Sequence, residues 1–365
     1  MNPRPIEILW MASADAGNTN AQSLNAREVA LRLDPEMFRS IFFYDTEPDP
    51  RLSRGPATLI RLPEKHRTWT ILKELFAGHD LVTYVDYSPA SYAFLHSPRR
   101  LRRGTLAVMH VEAPIGQLEG ASWQLKFLHN GVASKADIHI AITDFVAREM
   151  ESMGRRSFAT LPVGVDTRRF VPPAVRRAAD VPIVLFAGTV MERKGVLLLL
   201  EIARQIPEAR FLIVGAGRAG FEQVVRTKIA EMALANVEML GPQPQERMVE
   251  IMQTSDVFLL PSHLEGIPKV TLEAAATGLP SVIFNSYESP SVVDGTTGFQ
   301  VATLDGMIQK VKALVKNASL RTEMGAAAVQ HAKKFDWDVI APKWQDAYLR
   351  MVGHPARLQP SVVRT

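Results

Sequence analysis

The stretch from Ser255 to Val282, SDVFLLPSHLEGIPKVTLEAAATGLPSV, decides the fold more than any other part of the chain. Its apolar run Val257–Leu260 predicts a buried strand, because short apolar runs bounded by turn residues are typical of parallel sheets. A loop over Pro261–Pro268 follows, and then a helix that ends at Gly278. A strand that leads through a loop into a helix is the unit from which α/β domains are built.

The same alternation of short apolar runs and helical patterns extends over the 365 residues. A loop rich in Pro and Arg at Pro162–Pro182 interrupts it, and the pattern restarts at Ile183. We therefore predict an α/β protein of two Rossmann-like domains, residues 1–170 and 171–335, that face an interdomain cleft. A helix at 336–352 is expected to pack back on the first domain, before a polar tail at 353–365.

Composition excludes several classes of protein. The formal net charge is only +4, and its even spread argues against nucleic acid as a partner. The chain has no cysteine, so a disulfide framework and thiolate metal sites are excluded. Met1–Ser13 has no basic region before an extended apolar core, so we expect no signal peptide and a cytoplasmic location.

Two glutamates flank the loop and the helix start of the quoted stretch. Glu265 precedes the backbone amides of Gly266–Val270, and Glu273 follows them within the helix. The positive end of a helix favours an anion such as a diphosphate. A carboxylate accepts hydrogen bonds well from sugar hydroxyls. The residues thus predict a phosphate site flanked by two carboxylates that suit sugar hydroxyls.

The segment resembles the signature of glycosyltransferase family 4, retaining enzymes of the GT-B fold. That signature has two glutamates separated by seven residues in the context E-G-x-P/G…E-A-x-A-x-G-x-P-V. The matching residues here are Glu265, Gly266, Pro268, Glu273, Ala274, Ala276, Gly278, Pro280 and Val282.

The resemblance implies roles for these residues. Glu273 would bind the donor ribose, and Glu265 would contact hydroxyls of the transferred sugar and act among the catalytic residues. Diphosphate and sugar would be held by the donor-binding residues between them: Gly266, Ile267, Pro268, Lys269 and Val270.

The segment IVLFAGTVMERKG, residues 183–195, resembles the family's G-R-L-x-x-x-K-G element. Lys194 would then be the phosphate lysine, and it would neutralise charge on the departing nucleotide diphosphate. The family's arginine aligns with Thr189, which is a departure. Either Arg193 makes the second phosphate contact, or Lys194 and backbone amides suffice.

Two positions in the first domain complete the predicted site. Gly17 lies in the loop after the first strand and permits close approach of a phosphate or sugar. His110 ends a buried strand, and family enzymes often place a histidine there near the transferred sugar. We include His110 among the catalytic residues, orienting the sugar without necessarily acting as a base.

The family resemblance also implies the mechanism. A front-face reaction assisted by the leaving phosphate requires no enzymic nucleophile and no cofactor. The sequence shows no H-x₃-H pair, so we expect metal independence. Uridine, guanosine and adenosine diphosphate sugars all remain as donors. Saccharides, lipid-linked saccharides and small molecules remain as acceptors.

The densest basic run is PRRLRRG at 98–104. Basic side chains bind anionic membrane surfaces, so we expect peripheral contact at the inner face of the membrane, with a solvated loop as the alternative. No apolar run is long enough for a spanning helix.

Two other functions fit the same architecture. A nucleotide-sugar epimerase would need further acid–base carboxylates and histidines around its cleft, and a phosphorylase would need a cofactor lysine and a longer chain. A non-catalytic nucleotide-sugar-binding protein is the third reading, suggested by Thr189 and by Ser291 in place of a frequent glutamate. Glu265, Glu273 and Lys194 argue against it.

Overall fold

The structure, a computed structural model, describes residues 4–11, 16, 21–112, 122–175, 181–217 and 220–353, except for the side chain of Leu125. The chain forms two compact units. The first comprises Met1–Val163 and Trp337–Thr365, and the second comprises Gly164–Asp336. The last helix of the chain thus belongs to the first unit.

The first unit is built on a parallel sheet, which has seven strands within the described ranges. They are β1 (Ile6–Trp10), β2 (Phe38–Tyr44), β3 (Thr58–Arg61), β4 (Leu81–Thr83), β5 (Leu106–Val111), β6 (Ile138–Ala141) and β7 (Ala159–Thr160). The strand order is β3-β2-β1-β4-β5-β6-β7. Leu9 of β1 pairs with Ile41 on one side and Val82 on the other. The inner strands are buried on both faces, which explains their nearly continuous apolar sequences.

Helices cover both faces of this sheet. They are α1 (Ala21–Ala30), α2 (Pro50–Ser53), α3 (Arg67–Leu75), α4 (Pro89–His96), α5 (Trp123–Lys135) and α6 (Asp144–Ser152). Ser88 and Thr143 cap α4 and α6, because each side-chain oxygen accepts a hydrogen bond from a backbone N–H of the first turn. Right-handed crossovers put α3, α4 and α5 on one face and α1 on the other.

The second unit has a parallel sheet of six described strands. They are β8 (Ile183–Ala187), β9 (Arg210–Val214), β10 (Val237–Gly241), β11 (Val257–Leu260), β12 (Ser281–Phe284) and β13 (Gly298–Val301). The order is β10-β9-β8-β11-β12-β13. Because β8 lies between β9 and β11, the loops after β8 and β11 leave the sheet in opposite directions. Ligands bind at such a switch point in open α/β sheets.

The helices of the second unit are α7 (Val196–Arg204), α8 (Phe221–Glu231), α9 (Gln245–Thr254), α10 (Lys269–Ala276), α11 (Leu304–Lys316) and α12 (Ala318–Ala332). The chain then returns to the first unit as α13 (Trp337–Met351), which packs on α1. The prediction of an α/β fold with two Rossmann-like domains is confirmed.

Candidate functional site

The loops after β8 and β11 lie against each other in the second unit. Gly195 has a φ of 71°, and a Cβ atom there would lie 1.9 Å from the carbonyl oxygen of Pro261. That distance is far inside van der Waals contact, so only glycine fits. The close approach brings the Arg193–Lys194 pair next to the loop that carries Glu265.

Glu265 is the centre of a polar cluster at this switch point. Its Oε1 lies 2.6 Å from Lys194 Nζ and accepts a hydrogen bond of 2.6 Å from Ser262 Oγ. The side chains of Glu265 and Lys194 are 7% and 15% exposed, so their ion pair is largely shielded from water. The structure thus brings together two residues that the sequence placed in separate motifs.

Arg193 contacts the same loop in a different way. Its guanidinium donates a 2.5 Å hydrogen bond to the Leu264 carbonyl oxygen and lies 3.5 Å from Glu265 Oε1. Ser262 also donates to the Arg193 carbonyl oxygen, at 3.2 Å. The arginine therefore holds the shape of the loop, whereas Thr189 at the family's arginine position carries no charge.

Helix α10 begins next to this cluster. Pro268 is its N-cap residue, and Thr271 Oγ1 donates a 2.6 Å hydrogen bond to the Pro268 carbonyl oxygen. Ser291, at the place of the family's frequent glutamate, lies 2.6 Å from Thr271 Oγ1. The first turn of a helix leaves backbone N–H groups without intrahelical partners, and these attract anions.

Glu273 lies on α10, one turn further along. It is only 8% exposed, and burial raises its pKa to about 7, against which the charges of Lys269 and Arg169 act. Sequence reasoning did not find Arg169, because it lies far from the signature in the chain. Near neutral pH the carboxyl group is therefore poised between its protonated and charged forms.

Tyr287 is a further polar residue that sequence reasoning missed. Its ring is 3% exposed, and its hydroxyl has no hydrogen-bonding partner among the described residues. Burial and the nearby charge of Glu265 raise the pKa of Tyr287. Buried polar groups normally have a partner, so an unpaired hydroxyl near Glu265 is a candidate ligand contact.

The glycine turn after β9 is close to the turn after β8. A Cβ atom on Gly215 would lie 1.8 Å from the Gly188 carbonyl oxygen, and the Gly215 N–H donates to Gly241 at 3.0 Å. These glycines thus allow the carboxyl ends of three adjacent strands to pack together.

In the first unit, His110 lies in β5 within an aromatic stack. Its ring is 3.8 Å from that of Tyr84 and 4.9 Å from that of Trp344, measured between centroids. Its Nε2 is 2.6 Å from Thr83 Oγ1, which in turn lies 3.3 Å from the Tyr348 hydroxyl. His110 thereby ties the sheet of the first unit to α13.

Burial lowers the pKa of His110 to about 3. Its Nδ1 has no hydrogen-bonding partner in the described part of the chain, and the ring lines a narrow pocket with Glu112 and Trp344. Glu112 also accepts a 3.2 Å hydrogen bond from Asn25 and contributes to raising the pKa of Tyr84. Because the lowered pKa makes this imidazole a weak base, it suits hydrogen bonding to a hydroxyl better than proton abstraction.

Two further features predicted from the sequence are Gly17 and the basic run 98–104. Gly17 lies outside the described residues. The basic run 98–104 forms a 3₁₀ turn at Arg99–Arg102, in which Arg102 is buried and lies 2.9 Å from Asp137. Arg99 also reaches Asp137, at 3.3 Å. Part of the run is therefore structural.

Neither a metal cluster nor a membrane span is present in the described ranges. No group of three or more His, Asp or Glu residues there is arranged to hold a metal ion. None of the helices described is both long and apolar enough to cross a bilayer.

Two Rossmann-like units are the architecture of the GT-B fold, and the second unit here has buried carboxylates and a lysine around a helix N-terminus. The model of the family "Glycosyl transferases group 1" matches residues 168–331. This match covers nearly all of the second unit, which therefore belongs to that family.

Two curated relatives are similar over part of their length. The GDP-mannose-dependent monoacylated alpha-(1-6)-phosphatidylinositol monomannoside mannosyltransferase of Corynebacterium glutamicum is 27% identical over 58% of this chain and 62% of its own. The putative colanic acid biosynthesis glycosyltransferase WcaL of Escherichia coli is 31% identical over 55% of this chain and 52% of its own. The similarity thus spans between half and two thirds of these relatives.

Among solved structures, Anabaena Alr3699/HepE in complex with UDP-glucose matches with a TM-score of 0.77. The match covers 95% of this chain and 99% of that protein at 15% identity. At this identity the likeness shows the fold alone.

Proposed function

We propose that this chain is a retaining glycosyltransferase that moves a sugar from a nucleoside-diphosphate sugar to an acceptor hydroxyl in the synthesis of a glycan, polysaccharide or lipid-linked saccharide. The observation that carries the proposal is the grouping of Lys194, Glu265 and Glu273 around the start of α10. Each has a chemical counterpart on a nucleotide sugar: a phosphate, a sugar hydroxyl and a ribose hydroxyl.

The diphosphate is assigned to the start of α10, to the residues Gly266, Ile267, Pro268, Lys269 and Val270. Backbone N–H groups and the helix dipole stabilise a bound anion there. Lys194 adds a full positive charge from the neighbouring loop. Arg193 supports the loop through Leu264, and its guanidinium is a second cationic group, beside Lys194, within reach of the same region.

Binding would exchange the partners of the Lys194–Glu265 pair. The lysine turns from the carboxylate to the phosphate, and Glu265 then accepts hydrogen bonds from sugar hydroxyls. Ser262 and Arg193 partly compensate the negative charge of Glu265 during this exchange, since both contact its Oε1. Glu273 binds the ribose in its charged form.

The reaction then breaks the bond between the anomeric carbon and the phosphate oxygen. A new glycosidic bond forms to the acceptor oxygen on the same face, and the acceptor proton passes to the departing phosphate. The leaving diphosphate gains negative charge, which Lys194 and the amides stabilise; one such donor contributes about 3 kcal/mol to a rate. This scheme uses neither a metal ion nor a cofactor.

The first unit supplies the acceptor side. We assign His110 the role of a neutral hydrogen-bonding group that orients the sugar, consistent with its lowered pKa of about 3. Gly17 is assigned close approach of the donor. The names of the curated relatives favour transfer over epimerisation; one of them is GDP-mannose-dependent, and one structural neighbour was solved in complex with UDP-glucose.

The test has two parts. Thermal stabilisation by UDP, GDP and ADP is measured for the wild type and Glu273→Ala, since ligand at about 100 times its Kd stabilises by about 2.7 kcal/mol. Glu238→Ala, an exposed glutamate on β10, is the matched control. One nucleotide is expected to stabilise the wild type and the control and to lose its effect on Glu273→Ala.

The second part measures product. The nucleotide sugar of the selected base is incubated with acceptor panels, with and without chelator, and the anomeric configuration of the product is read by NMR. A glycoside of retained configuration, formed with chelator present, supports the proposal. Nucleotide binding without any glycoside across the panels supports a binding protein, and a changed free nucleotide sugar supports an epimerase.

A further inference from the structure

Several large apolar side chains of the first unit are exposed. Trp123 and Phe127 of α5 are 72% and 55% exposed, and Leu101 of the preceding 3₁₀ turn is 51% exposed. Single exposed apolar residues are ordinary, but neighbouring ones mark interaction surfaces.

The spacing on α5 puts its exposed groups on a single helix face. Trp123, Lys126 and Phe127 are at positions i, i+3 and i+4 and are all exposed. Val132 and Ala133 are fully buried and hold α5 to the unit. The helix therefore presents two aromatic rings and a cation outwards.

Ring contacts join this face to α4. The Phe127 ring stacks on Tyr92 at 5.4 Å, and Tyr92 stacks on His96 at 3.9 Å. Gly131 permits this packing, since a Cβ atom there would lie 2.4 Å from the Tyr92 ring. His96 ends α4, just before the 3₁₀ turn with Arg100 and Leu101, so the apolar groups lie on adjoining elements.

The charge of these elements has one sign. Residues 89–104 and 122–136 contain no aspartate or glutamate. The exposed cations are Arg99, Arg100, Arg103, Lys126 and Lys135. Asp137 engages Arg102 and Arg99 but lies outside these stretches. Arg100 and Lys126 are thus exposed on stretches that contain no carboxylate side chain.

We propose that this surface, defined by Tyr92, Arg100, Leu101, Trp123, Lys126 and Phe127 and called the aromatic–basic face, docks the protein peripherally on an anionic lipid bilayer. Tryptophan and phenylalanine on an exposed helix enter the interfacial region of a bilayer, and neighbouring cations bind acidic headgroups. An acidic protein surface would be matched by the cations but would leave Trp123 and Phe127 without an apolar partner. The proposal does not depend on the donor or the acceptor.

The chain offers a matched control on the opposite face of the sheet. Val339 and Lys343 of α13 are both exposed and are four positions apart, as are Trp123 and Phe127. Because α13 packs on α1, this pair lies away from the layer of α4 and α5.

The experiment is flotation of the full chain with phosphatidylglycerol–phosphatidylcholine vesicles and with phosphatidylcholine vesicles. The wild type is expected to float with the anionic vesicles only. Trp123→Ser/Phe127→Ser and Arg100→Gln/Lys126→Gln are each expected to lower the partition coefficient about tenfold or more. Val339→Ser/Lys343→Gln is expected to float like the wild type. Unchanged thermal midpoints establish that the variants are folded.

Four outcomes would overturn the proposal. In the first, the wild type stays at the bottom of the gradient with both kinds of vesicle. In the second, the two double variants on the face float undiminished, and in the third the control loses as much binding as they do. Binding to heparin but not to anionic vesicles would assign the face to polyanions instead. As a second readout of the expected binding, Trp123 fluorescence should shift to the blue on anionic vesicles, measured in a Trp69→Phe background that removes the other exposed tryptophan.

Discussion

Lys194 Nζ lies 2.6 Å from Glu265 Oε1, although the two residues belong to loops that follow different strands. The contact exists because β8 and β11 are adjacent in the sheet and because Gly195 lets its loop touch Pro261. Ser262 and Arg193 complete the surroundings of the carboxylate.

Replacing Lys194 by Met should destabilise the second unit by about 2 kcal/mol, because it leaves a shielded carboxylate with weaker compensation. Glu265→Gln alone should cost less, since Lys194 can turn to water. The double variant should recover at least about 1 kcal/mol relative to the sum of the single changes. The cycle is measured by urea unfolding followed by far-UV circular dichroism.

The exposed pair Arg210–Glu238 provides the reference cycle for this measurement. Its coupling should be at most a few tenths of a kcal/mol, as for other surface pairs. Equal coupling in the two cycles would show that the Lys194–Glu265 contact contributes no more than a solvated pair.

Glu273 should make the second unit more stable as the pH falls. Its folded pKa of about 7 lies above the ordinary value of 4.5, so the folded state holds the proton more tightly between these pH values. From pH 8 to pH 5 the free energy of unfolding should rise by about 2.5 kcal/mol from this group alone. Glu273→Gln should remove that part of the pH dependence, as amide hydrogen exchange in 164–336 would detect.

His110 should have the opposite effect on the first unit. Its folded pKa of about 3 lies below the ordinary 6.5, so acidification charges the unfolded state first. From pH 7 to pH 5 this group should cost the unit about 2 kcal/mol. Its ring should remain neutral by NMR over this range, and a ring that titrates near 6.5 would contradict the buried stack.

All five tryptophans lie in the first unit, at positions 10, 69, 123, 337 and 344. Tryptophan fluorescence therefore follows unfolding of the unit that contains His110. His110→Phe is the matched variant, since it keeps a ring between Tyr84 and Trp344 but cannot be protonated. The acid sensitivity seen by fluorescence should diminish in this variant.

Gly195→Ala should destabilise the second unit by about 3 kcal/mol or more, because the added methyl group meets a backbone carbonyl and the φ is positive. Gly154→Ala has nearly the same φ of 72°, and no described atom would lie within 4 Å of its Cβ. It should cost only about 1 kcal/mol. Thermal midpoints and nucleotide affinity check both variants, and equal losses would show that φ alone matters.

The inner strands of the two sheets were predictable because burial on both faces leaves continuous apolar runs. The strand Val257–Leu260 has the predicted bounds, and the strand Ile183–Ala187 begins where the apolar pattern was predicted to restart. The edge strand Thr58–Arg61 was not predicted, because it is half exposed and carries no such run. The strand Ala159–Thr160 is too short for any periodicity.

The side-chain contacts of the site were less accessible to sequence reasoning. The motifs singled out Lys194 and Glu265, but their ion pair depends on which strands are neighbours. Ser262 and Tyr287 have no pattern that distinguishes a buried hydroxyl from an exposed one. His110 was singled out by its place after an apolar run, whereas its contact with Trp344 depends on the return of the last helix.

The second unit begins and ends at one place. The Val165 N–H donates a 2.8 Å hydrogen bond to the Phe335 carbonyl oxygen, and Thr167 N–H reaches Asp336 at 3.2 Å. Residues 164–336 are thus an insertion whose two ends are held together, between the last strand of the first unit and its closing helix. Two breaks in the coding sequence, one at each end, therefore suffice to exchange this segment between proteins. Recombination between relatives would move a complete second unit while leaving both ends of its host chain in place.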